Sequence, residues 1–320
     1  MKTKILSLVA LLSVALFSCQ KSDLTLSVSQ EEALLKSTEV SLNDTWVEST
    51  SEKSCYEADY FSNSENLLRI IANGSGRLGK FVNFDKGYHY LRGHGPDVTI
   101  DTASTGYPIT ITLEYGDSTV LSHGSVLSGT IEIVITGPKF TDGTTRTITY
   151  KDFSVDSIAI EGTIVEVFTG DTTTTISTSV NGDLTFTLPN GTVIERISQR
   201  VRNWVEGANT PLDPEDDRIE ITGNVTVDSS TGELYVKEII EPLIRLGACE
   251  YYVQGIARIT QDGEMISEID YGDGTCDNTA TVTAADGTTT EITLHEGGGK
   301  PTNNGKHGAN SHSSNGKGKH

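Results

Sequence analysis

"LTFTLPNGTVIERI" runs from Leu184 to Ile197 and reads as strand, turn, strand. Leu184 and Phe186 alternate with threonines before the turn, and apolar and charged residues alternate after it. Between them stands Asn190-Gly191, a pair suited to tight hairpins because both central residues take φ > 0 there. The same texture continues outward in both directions. "YPITITLEYGD", "GTIEIVITG", "TTRTITYKDF", "SIAIEGTIVEVF", "RIEITGNVTV" and "CEYYVQGIARI" are rich in Thr, Val, Ile and Tyr, and most alternate as half-buried antiparallel strands do. Asp142-Gly143, Asn181-Gly182, Asp262-Gly263 and Asp286-Gly287 are further turn candidates. No helix-length amphipathic segment interrupts the series, so residues 61–295 read as one all-β domain.

A spacing supports a particular architecture. Gly129, Gly162, Gly191, Gly223, Gly255 and Gly287 recur at close to 32 residues, and each is expected to open a strand. One residue in ten is glycine, so such a ladder also arises by chance. If the period is real, its unit is a hairpin of two strands of ~12 residues, each ~40 Å long. The expected fold is then a long antiparallel up-and-down meander that covers its apolar face by curling into a half-barrel or by forming a sandwich.

The two ends differ from the middle. Lys2 and Lys4 precede the short apolar run Ile5 to Phe17, which reads as a secretory signal over residues 1–18. It closes in "LFSC" (Leu16 to Cys19), which resembles the lipobox of bacterial lipoproteins. That resemblance implies cleavage before Cys19 and acylation of its thiol, with several acyl chains giving stable anchoring. With "QKSD" following and no Asp directly after the cysteine, it implies the outer membrane, on the periplasmic or the surface face. Residues 19–60 are polar and serine-rich and read as a tether with a short helix, "SQEEALLKS", opened by a Ser29/Glu32 capping box. Residues 296–320 hold Gly, Asn, Ser, Lys and His with almost nothing to bury, as a disordered tail does.

The middle also resembles a family. "YPITITLEYGD", "SGTIEIVITGP", "RTITYKDFSVDSIAIEGT", "LPNGTVIERISQRVRNWVEG", "ACEYYVQGIARIT" and above all "DYGDGTCDN" (Asp270 to Asn278) are similar to a group of uncharacterised Bacteroidetes lipoproteins, over about Tyr107 to Leu294. The resemblance implies a lipid-anchored all-β protein and carries no activity, substrate or catalytic residue. Members have a cysteine just after the first Y/F-G motif, whereas "EYGDST" (Glu114 to Thr119) has none. "DYGDGT" further resembles a turn of PKD-type β-sandwich domains, over six residues only.

Charge and motifs narrow the function. A net charge of −20 disfavours nucleic acid and bare anionic membrane. Gly74, Gly76 and Gly79 spell G-x-G-x-x-G, but the glycine- and proline-bearing stretch that follows is no helix, so no dinucleotide cofactor is expected. Of the cysteines beyond Cys19, Cys249 and Cys276 face each other if Asp262-Gly263 is a two-residue turn, although that register makes a hydrogen-bonded pair and a bulge at Gly272 to Gly274 would shift it. A disulfide, two buried thiols, and redox or metal chemistry are the open readings, with Cys55 left over. Asp270, Asp273 and Asp277, and the run Asp213 to Asp217, offer hard oxygen ligands without calcium-loop spacing, so no metal is assigned. His89, His94, His123 and the tail histidines have no evident partner, and no catalytic residue is assigned.

The most unusual stripe is "ERISQRVRNW". On a strand Arg196, Arg200, Arg202 and Trp204 share one face. They suit an anionic or sugar ligand, held by forked hydrogen bonds and stacking, or else pairing with Asp and Glu across the sheet. Three functions follow as expectations. The first is a non-catalytic lipid-anchored envelope protein that presents a binding or structural surface. The second is a glycan-binding or adhesive module using the stripe, and the third an envelope hydrolase with an unidentified acid pair.

Overall fold

A computed structural model describes residues 26–63, 95–102, 106–121, 124–170, 176–208, 210, 216–249 and 251–294. Helix α1 (Val28–Asn63) comes first. Thirteen strands follow: β1 (Asp97–Thr102), β2 (Ile109–Val120), β3 (Val126–Ile135), β4 (Thr145–Val155), β5 (Ile158–Thr169), β6 (Ile176–Thr187), β7 (Val193–Glu206), β8 (Arg218–Ser229), β9 (Leu234–Leu246), β10 (Tyr252–Gln261), β11 (Glu264–Asp273), β12 (Thr279–Ala284) and β13 (Thr289–Thr293). Every strand pairs antiparallel with its sequence neighbour, so the sheet order is the chain order from β1 to β13. This is the expected up-and-down meander, open rather than closed into a barrel. The opening hairpin is β6–β7, with Leu184 opposite Arg196 and Thr187 opposite Val193.

Alternation places the core on one face. Ile109, Ile111 and Leu113 of β2, Ile131 and Ile133 of β3, and Ile148 of β4 are at most 1% exposed and point the same way. Val225, Leu243, Ala257, Ile259, Ile269 and Val282 continue that face across the later strands. A large twisted sheet with one apolar face curls to cover it, helped by glycines and bulges within the strands. The glycine ladder proves to hold two kinds of position. Gly191 and Gly287 sit in hairpin turns, whereas Gly129, Gly162, Gly223 and Gly255 lie inside β3, β5, β8 and β10 rather than opening them. At Gly223 φ is +122°, and a Cβ would stand 2.1 Å from the Gln199 carbonyl oxygen. No side chain fits there, and the register slips beside it, between Ile221 and Gly223. Asn181-Gly182 is no turn. It lies mid-strand in β6, and Gly182 lets Ser198 approach, whose hydroxyl would be 2.6 Å from an added Cβ.

The larger correction concerns the expected tether. Residues 28–63 form one helix in the curl of the sheet, and no described residue between 40 and 62 is exposed. Its backbone runs nearest to β11–β13 on one side and β3–β4 on the other. The start also differs. Ser27 caps it, accepting from the Gln30 amide at 3.4 Å while the Gln30 side chain accepts from the Ser27 amide at 3.1 Å. That is a capping box two residues ahead of the expected one. An apolar stripe is missing because the helix is met all round, by apolar flanks and by polar partners. Its small hydroxyls need little help: Ser37, Thr38 and Thr50 reach back to the carbonyls of Ala33, Leu34 and Trp46 at 2.9, 2.6 and 2.9 Å. Ser41 meets Ser267 of β11 at 2.9 Å, and Ser54 meets Tyr150 of β4 at 2.8 Å. Among the described residues no helix is long and apolar enough to cross a membrane.

Candidate functional site

On β7 the alternation holds as read. Ile197, Val201 and Val205 point outward and are exposed, while Arg196, Arg200 and Arg202 point inward and are buried. What faces the arginines is chiefly α1. Asp44, Glu48 and Glu52 stand four residues apart, one turn each, and so form a comb on one helix face, with Asp59 two turns on.

Glu48 is the hub. Its two oxygens take a fork from Arg200 at 2.5 and 2.6 Å, a further bond from Arg196, the Lys237 amine at 2.9 Å and the Tyr252 hydroxyl at 3.0 Å. Such bidentate, charge-assisted bonds are the strong class. Glu52 receives Arg202 and Arg245 of β9, both at 3.1 Å. Asp44 holds Lys237, whose side chain is wholly buried. Asp59 pairs with Arg146 of β4, and the sheet's own Glu166 on β5 sits 2.6 Å from Arg146 and 3.4 Å from Arg202. Cations therefore come from the sheet, and carboxylates come from the helix except for Glu166.

Burial alone raises a carboxyl pKa, and the cations overcome it here. Burial pushes Glu48 up, but Arg196, Arg200 and Lys237 hold it well below the usual carboxylate range. Asp59, pushed up by burial and pulled down by Arg146, Arg202 and Lys139, ends at about 2. Both carboxylates stay ionised at neutral pH, as ion-pair partners and not as proton donors. The arginines are not fully served: among the described residues, Nε of Arg196, Arg200 and Arg202, and Nε and Nη1 of Arg146, have no hydrogen-bond partner.

Trp204, the fourth residue of the stripe, sits apart from this network near the C-terminal end of β7. It is half-buried, 5.6 Å from the Phe140 ring, and its indole donates to Asp217 at 3.4 Å. The Lys139 amine lies 4.4 Å from the Phe140 centroid and 5.7 Å from that of Trp204. Phe140 holds φ at +59°, a left-handed backbone rare for a bulky side chain. Burial lowers Lys139 to about 8 and raises Asp217 to about 6. This corner joins the β3–β4 connection to the β7–β8 connection, a proximity the sequence does not signal.

Cys249 and Cys276 form a disulfide with Cα atoms 5.9 Å apart. The register begins as expected, with Gln261 opposite Glu264, and then slips twice, so that Gln254 faces Asp273. Both cysteines lie past the strand ends, in the β9–β10 and β11–β12 connections. Beside the bridge, Ile244 and Val253 make a small second apolar cluster with Cys249. Cys55 is the leftover thiol among the described residues, and burial raises it to about 12. Asp270, Asp273 and Asp277 accept bonds from Gly272, Thr275 and Thr279 within their own turns. The described residues bring no three His, Cys, Asp or Glu together as metal ligands. Cys19, the Gly74–Gly79 motif, His89, His94, His123, Asp213 and the tail histidines lie outside the described residues.

No family model, curated protein or solved structure matches this chain.

Proposed function

We propose that this chain is a non-catalytic, lipid-anchored protein of the outer membrane or cell surface, one of the Bacteroidetes lipoproteins its sequence resembles, which presents the convex face of its sheet to a partner. The observation that carries the presenting surface is the occupied interior. With α1 buried in the curl, Arg196, Arg200 and Arg202 of the concave face each have a carboxylate partner within the molecule, in Glu48, Glu52 or Glu166. No described residue covers the convex face, and its polar and charged positions are broken by exposed Val165, Ile197, Val201, Val236 and Ile240. The anchor rests on "LFSC" with Cys19 as the acylated residue. Labelled palmitate should enter the wild-type chain and not Cys19→Ser; equal labelling of both would end the lipoprotein reading. Protease shaving of intact cells separates the two faces of the membrane, since a surface protein is cut and a periplasmic one is protected.

A glycan-binding role is the second reading. It is favoured by the half-buried Trp204 beside Phe140 and Lys139, where an aromatic face, an amine and the Asp217 carboxylate converge. Binding on a glycan array that Trp204→Ala abolishes would support it, and binding unchanged by Trp204→Ala would remove it.

A further inference from the structure

Among the described residues the inner face of the sheet carries Arg146, Arg196, Arg200, Arg202, Lys237 and Arg245 against one paired carboxylate, Glu166. The helix supplies Asp44, Glu48, Glu52 and Asp59 to meet them. Sheet and helix are thus complementary halves, a cationic receptor and an acidic helical ligand, that happen to share a chain.

Two features make the ligand separable. Outside the sheet α1 carries no single apolar stripe, because Val40, Leu42, Trp46, Val47, Tyr56 and Phe61 are scattered among its serines, threonines and carboxylates. It is also joined to β1 only through residues 64–96, a length of chain that spans at most about 110 Å at ~3.3 Å per residue. That exceeds the width of a domain of this size, roughly 50 Å from the usual scaling of the radius of gyration.

Not every acidic ligand could replace the helix. Removing α1 also uncovers the sheet's partners of Val40, Leu42, Trp46, Val47, Tyr56, Ala58 and Phe61. A small or linear anion restores the charge pairs and leaves that apolar surface wet. A second copy's α1 restores both, at no change in contacts, which is why exchange of identical elements is an inexpensive route to dimers.

We propose that the concave face of the sheet is a receptor for an acidic helix and that α1 exchanges between copies, the helix of one chain seating in the sheet of another. The Ser41–Ser267 contact, 2.9 Å between hydroxyls and outside the ion network, reports the exchange directly. Full-length Ser41→Cys and Ser267→Cys chains, each also carrying Cys19→Ser and Cys55→Ser so that Cys249–Cys276 is the only other bridge, are mixed in urea without reductant, refolded together and oxidised with oxidised glutathione. A covalent dimer of about twice 34.4 kDa should form in the mixture and in neither chain refolded alone. The double variant in one chain closes the bond internally and shows that the geometry is productive. A bond in the double variant with no dimer from the mixture overturns the proposal. A second measurement avoids thiols: Glu48→Arg spoils only the helix and Arg200→Glu only the sheet. Co-refolding these two chains should give a heterodimer with a melting transition absent from either alone, whereas a mixture that melts as the sum of its parts overturns exchange as well. The same mixture with an unlinked acidic polymer added, inorganic polyphosphate, should show no loss of dimer; displacement of α1 by it would mean that the groove takes any polyanion, against the proposal.

Discussion

The middle of the interior and its two flanks solve the same problem with different chemistry. On the flanks the helix backbone runs close to β11–β13 and β3–β4, and the contacts between are mostly uncharged, Ser41 on Ser267 and Ser54 on Tyr150, with Ile131, Ile133, Ala280 and Val282 behind and the Asp59–Arg146 pair on β4 as the exception. Over β7 and β9 the curled sheet stands farther away, and Arg196, Arg200, Arg202, Lys237 and Arg245 reach across. Leucines would leave part of that distance unfilled, and long cationic side chains close it if carboxylates wait at the far end. The flanks hold the helix by packing, which is tolerant of sliding. The middle fixes its axial position, because each carboxylate answers to particular cations. Buried ion pairs contribute little net stability over apolar packing but specify register well.

The largest expected effect breaks the middle. Glu48→Ala leaves Arg196, Arg200 and Lys237 buried without their shared anion and should cost about 3–5 kcal/mol. The shift of the urea midpoint measures it, and a loss under ~1 kcal/mol would mean that the network is well solvated. On the flank, Ile133→Ala in a fully buried position should cost about 2–5 kcal/mol through lost burial and a cavity. The two differ in kind: the first variant should regain stability from an added compensating anion, and the second should not.

Acid separates the regions further. Asp59 titrates at about 2 in the folded chain against an ordinary 3.8, so its stabilisation is present above about pH 4 and lost as pH falls toward 2. Asp217, raised to about 6, has the opposite sign: its ionisation lowers stability as pH rises from about 4 to about 6. Denaturant midpoints across pH should show a flatter acid limb in Asp59→Asn and a gain above pH 6 in Asp217→Asn. Like slopes from both would contradict the assignment of one carboxylate to an ion pair and the other to a desolvated corner. Smallest is the outer face, where Lys151 meets Glu132 at 2.7 Å with the lysine half exposed. Lys151→Ala should cost less than about 1 kcal/mol in the same assay, because solvent screens the pair.

Legibility in the sequence follows the range of the interactions. Period-two alternation, Asn190-Gly191 and Asp262-Gly263 are local signals, and they were enough for strands, hairpins and the meander order. That Arg196, Arg200, Arg202 and Trp204 share one face was legible for the same reason, though not that the face is the buried one. Asn181-Gly182 misled because its glycine answers Ser198 on the next strand and no turn. Helix α1 beyond "SQEEALLKS" was not legible at all, since its pattern has no apolar period to find. A signal did exist in the comb Asp44, Glu48, Glu52, but a comb of acids on a solvated helix looks the same.

By itself the sequence determined which residues alternate, most of the places where the chain turns and that the arginines of β7 share a face, because those follow from backbone geometry over a few residues. Only the tertiary structure decided that a serine- and carboxylate-rich segment belongs inside, that Cys249 and Cys276 meet despite a slipped register, and that Trp204 joins Lys139 and Asp217. A polar helix has no reason to be buried until a cationic concave surface exists to receive it, and that surface is assembled from strands far apart in the chain.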